Sequence, residues 1–126
     1  MKRLSKLTLL TIPAVLLTSC SLFAPSVETV EKNLRNANYE VTVTSGDDID
    51  TDDPNTPLFN LMFVSDCVYG EKEKDVIWLI YFYSNDDASD AYDFMHSDYT
   101  MGLINELVYV GTSQAIKDAG IKTIFD

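Results

Sequence analysis

The stretch Val76-Ile77-Trp78-Leu79-Ile80-Tyr81-Phe82-Tyr83, followed at once by Ser84-Asn85-Asp86-Asp87, decides the fold class. An unbroken run of eight residues rich in Ile, Val and aromatics predicts a central strand covered on both faces, although a run without alternation does not give the register. The four polar residues behind it supply N-cap candidates and acids for the start of a helix. Ala88, Ala91, Tyr92, Met95 and Tyr99 then fall on one face of that helix, which is expected to stop around Gly102.

Working toward the N-terminus, Gly70 to Asp75 interrupts two apolar stretches and predicts a β-hairpin around Gly70, whose first arm lies within Leu58 to Tyr69. Ser45 to Pro57 is polar, with Asp47, Asp48, Asp50, Asp52 and Asp53, two prolines and no basic residue, and reads as a loop. Before it, Tyr39, Val41 and Val43 alternate with polar residues as in a half-buried strand. Val27, Val30, Leu34 and Ala37, spaced by three and four after Pro25, predict an amphipathic helix starting near Ser26. Toward the C-terminus, Leu107 to Val110 reads as a short strand, and Ala115, Ile116 and Ala119 as a third helix ending at Gly120. The tail, Ile121 to Asp126, is expected to add a short edge strand.

The resulting order, α-β-β-β-α-β-α, predicts an α+β two-layer sandwich: a mostly antiparallel sheet of about four strands with helices packed on it. One right-handed crossover is expected from Val76–Tyr83 through the second helix to Leu107–Val110. A ferredoxin-like arrangement is the nearest familiar topology, from which the opening helix departs.

With 126 residues, 46% hydrophobic and 23% charged, the chain has room for one domain and is too apolar to be disordered. Its first residues carry Lys2, Arg3 and Lys6 without an acid. Leu7 to Leu17 is then uncharged and mostly apolar, as in an export signal. Eleven residues containing Pro13 fall short of the roughly 20 that a membrane-spanning helix needs.

The run ends in Leu17-Thr18-Ser19-Cys20, which resembles the lipobox of bacterial lipoprotein precursors. That resemblance implies a signal peptide over residues 1–19, cleavage before Cys20 and a lipid on the Cys20 thiol. Residues 20–25 would be a lipidated cysteine and short tether, and 26–126 a single extracytoplasmic domain of the cell envelope. The strand, the Asp-rich start of an Ala/Tyr helix and Tyr109-Val110-Gly111-Thr112 also resemble small lipoproteins of low-GC Gram-positive bacteria, a resemblance that implies no activity.

The net charge of −11 deepens to −14 once Lys2, Arg3 and Lys6 leave with the signal, which excludes nucleic acid as a partner. The membrane is then reached through lipid rather than through charge. Ser21 to Pro25 span at most roughly 17 Å, so the domain is expected close to the bilayer.

Few residues suggest chemistry. Asp48, Asp50 and Asp52 stand at alternate positions, as calcium ligands do, and form a candidate calcium site. Counting from Asp48, however, positions six and twelve are Asp53 and Phe59, where an EF-hand needs Gly and Glu. His96 is the only histidine and is expected on the second helix. Cys67, flanked by Val64, Val68 and Tyr69, reads as an inert strand cysteine unless a base or cation activates it. Gly111-Thr112-Ser113 opens a helix after a strand, where capping by Thr112 is a simpler reading than an anion site. Tyr69, Trp78, Tyr81, Tyr83 and Tyr109 gather on predicted strands, offering either core or an aromatic binding face.

No catalytic set and no cofactor fingerprint emerges. The expectation is a non-enzymatic, lipid-anchored module that binds a small ligand or a protein through a sheet face or the acidic loop. The alternatives are a cell-surface hydrolase using carboxylates or His96, and an accessory subunit of an envelope complex.

Overall fold

A computed structural model describes residues 23–122. The elements are α1 (Val27–Asn36), β1 (Glu40–Ser45), a single 3-10 turn (Gly46–Asp48), β2 (Val64–Lys72), β3 (Asp75–Phe82), α2 (Asn85–Phe94), β4 (Thr100–Ile104), β5 (Leu107–Gly111) and α3 (Ser113–Asp118). The lipobox and most of the C-terminal tail lie outside the described residues.

The α+β class stands: one antiparallel sheet with three helices packed on it. The sheet has five strands in the order β1-β2-β3-β5-β4, where about four were expected. Because β3 and β5 are antiparallel, the expected right-handed crossover is replaced by a different path. The chain leaves α2 into the edge strand β4 and turns back at Asn105, with φ 52°, so that β5 inserts between β4 and β3. The strand order β1-β2-β3-β5-β4, with helices on both faces, departs from the ferredoxin-like arrangement, whose helices share one face.

α1 and α2 each begin where a hydroxyl satisfies an orphan amide of the first turn. Ser26 accepts from the Thr29 amide at 3.2 Å, and Ser84 from the Asp87 amide at 3.1 Å. α2 ends at Phe94, earlier than its apolar face suggested, so Met95 to Tyr99 connect it to β4 in non-helical chain. The β2–β3 turn falls at Glu73, with φ 56°, rather than around Gly70. Gly70 lies inside β2, where a Cβ would meet Leu34, Ile77 and Tyr39.

β3 is covered on both faces, as its composition predicts. Ile77, Leu79 and Tyr81 join Val30 and Leu34 of α1, Ala115 and Ile116 of α3, and Ala119 just after it in one core layer. Ile80 and Phe82 join Ala88 of α2, together with Leu58 and Leu61 from the segment before β2, in the other. The helices are thus divided between the two faces, and the loop after β1 completes the cover on the α2 side. Nine large aliphatic side chains are almost fully buried, each contributing about 1.5–3 kcal/mol, and among the described residues the one cysteine, Cys67, is a free thiol.

Candidate functional site

The loop between β1 and β2 does not lie flat on the sheet. Ile49 and Leu58 pack onto the α2-side core, and between these two anchors the chain arches over the strands. The Asn60 amide donates to the Thr51 carbonyl at 2.9 Å and closes the arch. Inside it, the Asp50 carboxylate accepts from the Asp52 amide and the Asp53 carboxylate from the Asn55 amide, both at 2.9 Å. These local turns are why an Asp-rich, proline-containing segment holds one shape without regular structure.

Beneath the arch is an open groove of about 200 Å³. Its floor is set by register: Thr42 stands opposite Tyr69 and Tyr69 opposite Trp78, while Thr44 stands opposite Cys67. Successive side chains alternate across a sheet, so these five point to the same face. The arch supplies Asp48, Ile49, Asp50, Asp53, Thr56 and Leu58 as the opposing wall. One wall is therefore carboxylate and the other hydroxyl and aromatic, with no basic side chain on either.

The aromatic wall continues beyond the groove. The rings of Tyr69 and Trp78 lie 5.1 Å apart at 46°, and Tyr99, ahead of β4, lies 5.9 Å from Trp78 at 49°. Both separations lie within the range in which tilted aromatic rings attract one another, so the three rings form one continuous aromatic surface. Burial raises the Tyr69 phenol above its ordinary value, and the nearby Glu71 and Tyr99 add to the shift. Tyr69 is therefore a neutral hydrogen-bonding group at physiological pH.

Of the three metal candidates, Asp48 and Asp50 line the groove, whereas Asp52 does not and Asp53 stands there instead. Among the described residues no group of three or more His, Cys, Asp or Glu side chains is placed to hold a metal ion. Cys67 sits on the groove floor, buried, and loss of hydration pushes its thiol up to about 12, so it is a neutral thiol at pH 7. His96 is not on α2 but exposed just beyond it, because the helix ends at Phe94. Thr112 does not cap α3 with its side chain; its hydroxyl donates to Asp75 at 2.9 Å.

The aromatic residues divide between core and wall. Tyr81 and Tyr109 are buried on the α1 and α3 side, Tyr69 and Trp78 border the groove, and Tyr83 is exposed past the end of β3. Sequence reasoning missed Thr42, Thr44, Thr56 and Tyr99. The alternation that turns Val41 inward already required Thr42 and Thr44 to face the other way, which was the available signal for those two. Tyr99 gave no such signal, since its place depends on an unanticipated strand.

No described helix is long and apolar enough to cross a membrane. No protein-family model, curated protein or solved structure matches the chain.

Proposed function

We propose that the chain is a lipid-anchored, extracytoplasmic, non-enzymatic binding module that takes a small organic cation into the groove between the acidic arch and the sheet. The observation that carries this reading is the pairing of walls: Asp48, Asp50 and Asp53 on one side, Tyr69 and Trp78 on the other. Carboxylates attract any cation. A ring face distinguishes an alkylammonium group from a hydrated metal ion, because the cation must shed water to reach it, at a gain of about 0.5–2 kcal/mol per contact. Thr42 and Thr44 offer hydroxyls that can accept from N–H or O–H donors of the ligand, while the Thr56 hydroxyl is held within the arch by the Asp53 carbonyl and the Leu58 amide. The groove's size suits an amine of a few heavy atoms rather than a peptide.

The anchor half of the reading rests on Lys2, Arg3 and Lys6, the apolar run to Leu17 and the Leu17-Thr18-Ser19-Cys20 ending. Cys20→Ala is expected to release the protein from membranes.

Calorimetric titration with choline and with its neutral isostere 3,3-dimethylbutanol tests the ligand class. Choline is expected to bind more tightly than the alcohol and to weaken severalfold in Asp50→Asn, an exposed position whose change spares the core. Equal affinity for the two, or choline binding untouched by Asp50→Asn, would overturn the cation reading.

A further inference from the structure

We propose that the end of the sheet where β3 finishes and β2 begins is the membrane-facing end, and that exposed apolar side chains there insert into the bilayer interface. This rests on the lipid anchor at Cys20 proposed above. The entry of the chain fixes which end this is. The Tyr81 hydroxyl donates to the Pro25 carbonyl at 2.8 Å, so the chain comes onto the domain beside the last residues of β3. α1 then runs away from that end, since Leu34 near its far terminus lies against Gly70. Only three residue steps separate Cys20 from Phe23, a reach of roughly 10 Å at full extension. A domain held so closely cannot turn its opposite end to the bilayer.

That same end carries exposed apolar side chains. Phe23 is 64% exposed, Met62 64%, Phe63 58% and Tyr83 69%. Phe63 and Tyr83 are neighbours, the Tyr83 amide donating to the Phe63 carbonyl at 3.2 Å. Phe63 has φ 65°, a left-handed conformation unusual for a bulky residue. Aromatic rings and a methionine belong to the side-chain classes that partition into the headgroup boundary, Tyr with its hydroxyl toward water. Each contact alone is weak, but a short tether makes the encounter intramolecular and raises its effective concentration.

Charge sets which surface the end accepts. Glu28, Asp66 and Glu106 act on Tyr81 at this end, and Asp86 and Asp87 open α2 just past Tyr83. Carboxylates around an apolar tip favour a zwitterionic interface over an anionic one. The opposite end, the Glu73–Lys74 turn, stands roughly 23 Å away along β3, at about 3.3 Å per residue.

The test uses the full-length, processed protein reconstituted into phosphatidylcholine vesicles, with an environment-sensitive fluorophore on Met62→Cys or on Lys74→Cys and nitroxide-labelled lipids as quenchers. The parent chain, whose Cys67 is buried, is the labelling control. Strong quenching and a blue shift at position 62 with neither at position 74 is the expected result. Equal quenching at both positions, or none at 62, overturns the proposal. Mass spectrometry of the same preparation reports the diacylglyceryl group on Cys20 separately, so an unlipidated sample refutes the anchor and a lipidated one without quenching refutes the orientation. Substituting phosphatidylglycerol is expected to weaken quenching at position 62; stronger quenching would overturn the stated lipid preference.

Discussion

Gly102 of β4 stands directly across from Tyr109 of β5, and the phenol ring of Tyr109 occupies the space where a Cβ at position 102 would lie, meeting Cζ, Oη and Cε2. The glycine is therefore not the end of a helix but the seat of a buried aromatic ring in a two-stranded corner. Gly102→Ala is expected to cost about 1–3 kcal/mol, the usual range for forcing atoms into a packed site. In a Tyr109→Val background, where the ring is gone, the same substitution should cost markedly less. A double-mutant cycle from chemical denaturation checks this, and additive effects would refute the coupling.

Tyr81 ties the entry of the chain to the sheet through its bond to the Pro25 carbonyl. Tyr81→Phe keeps the ring in the core and removes one hydrogen bond, so the global loss is expected to be about 0.5–1.5 kcal/mol. The local effect is more telling. Amide exchange should accelerate at Thr29 and Val30, whose N–H groups bond Ser26 at the start of α1, more than at Leu79 in the centre of β3. Uniform acceleration would show that the bond does not act locally.

Alkaline pH should weaken the fold in a way traceable to Cys67. Its thiol ionises near 9.0 when free of the fold, and burial pushes it up to about 12 in the native state. The unfolded chain thus loses the proton first. Stability is intact below pH 9 and declines as pH rises from 9 toward 12. Burial similarly raises Tyr39 and Tyr81 above their ordinary 10.0, so their contribution to the decline begins a unit later. Melting temperatures of parent and Cys67→Ala between pH 8 and 10 should show a shallower fall in the variant; parallel curves would remove Cys67 from the account.

What the sequence disclosed and what it hid follow from the range of the interactions involved. The cover on both faces of β3, the caps at Ser26 and Ser84 and the amphipathic α1 depend on composition and neighbours within a few residues, and all three are present. β4 was hidden because its one irregularity, Gly102, answers to a residue seven positions away across a turn. The groove was half legible. An acidic loop without a basic residue is visible in one dimension, but its pairing with Trp78 requires the register Thr42, Tyr69, Trp78, which an uninterrupted apolar run does not encode.

Tyr39 and Lys72 make the last test, because they join three elements around the exit of α1. Lys72 Nζ donates to the Ala37 carbonyl at 2.8 Å, at the negative end of the helix, and stands 5.6 Å from the centre of the Tyr39 ring. The Tyr39 hydroxyl in turn donates to Asp118 of α3 at 2.8 Å. The cation satisfies a carbonyl that the helix leaves without a partner and rests on a ring already fixed from the other side. Lys72→Met, similar in length but uncharged, is expected to cost about 1 kcal/mol through the lost dipole and ring contacts. Lys74→Met, in the exposed turn two residues on, should stay within about 0.5 kcal/mol of the parent. Denaturation midpoints in low and high salt separate the contributions, since the part-buried Lys72 contact should survive salt that screens exposed charges. Equal effects of the two lysines would mean that Lys72 contributes only its charge to an acidic chain, and not a cap.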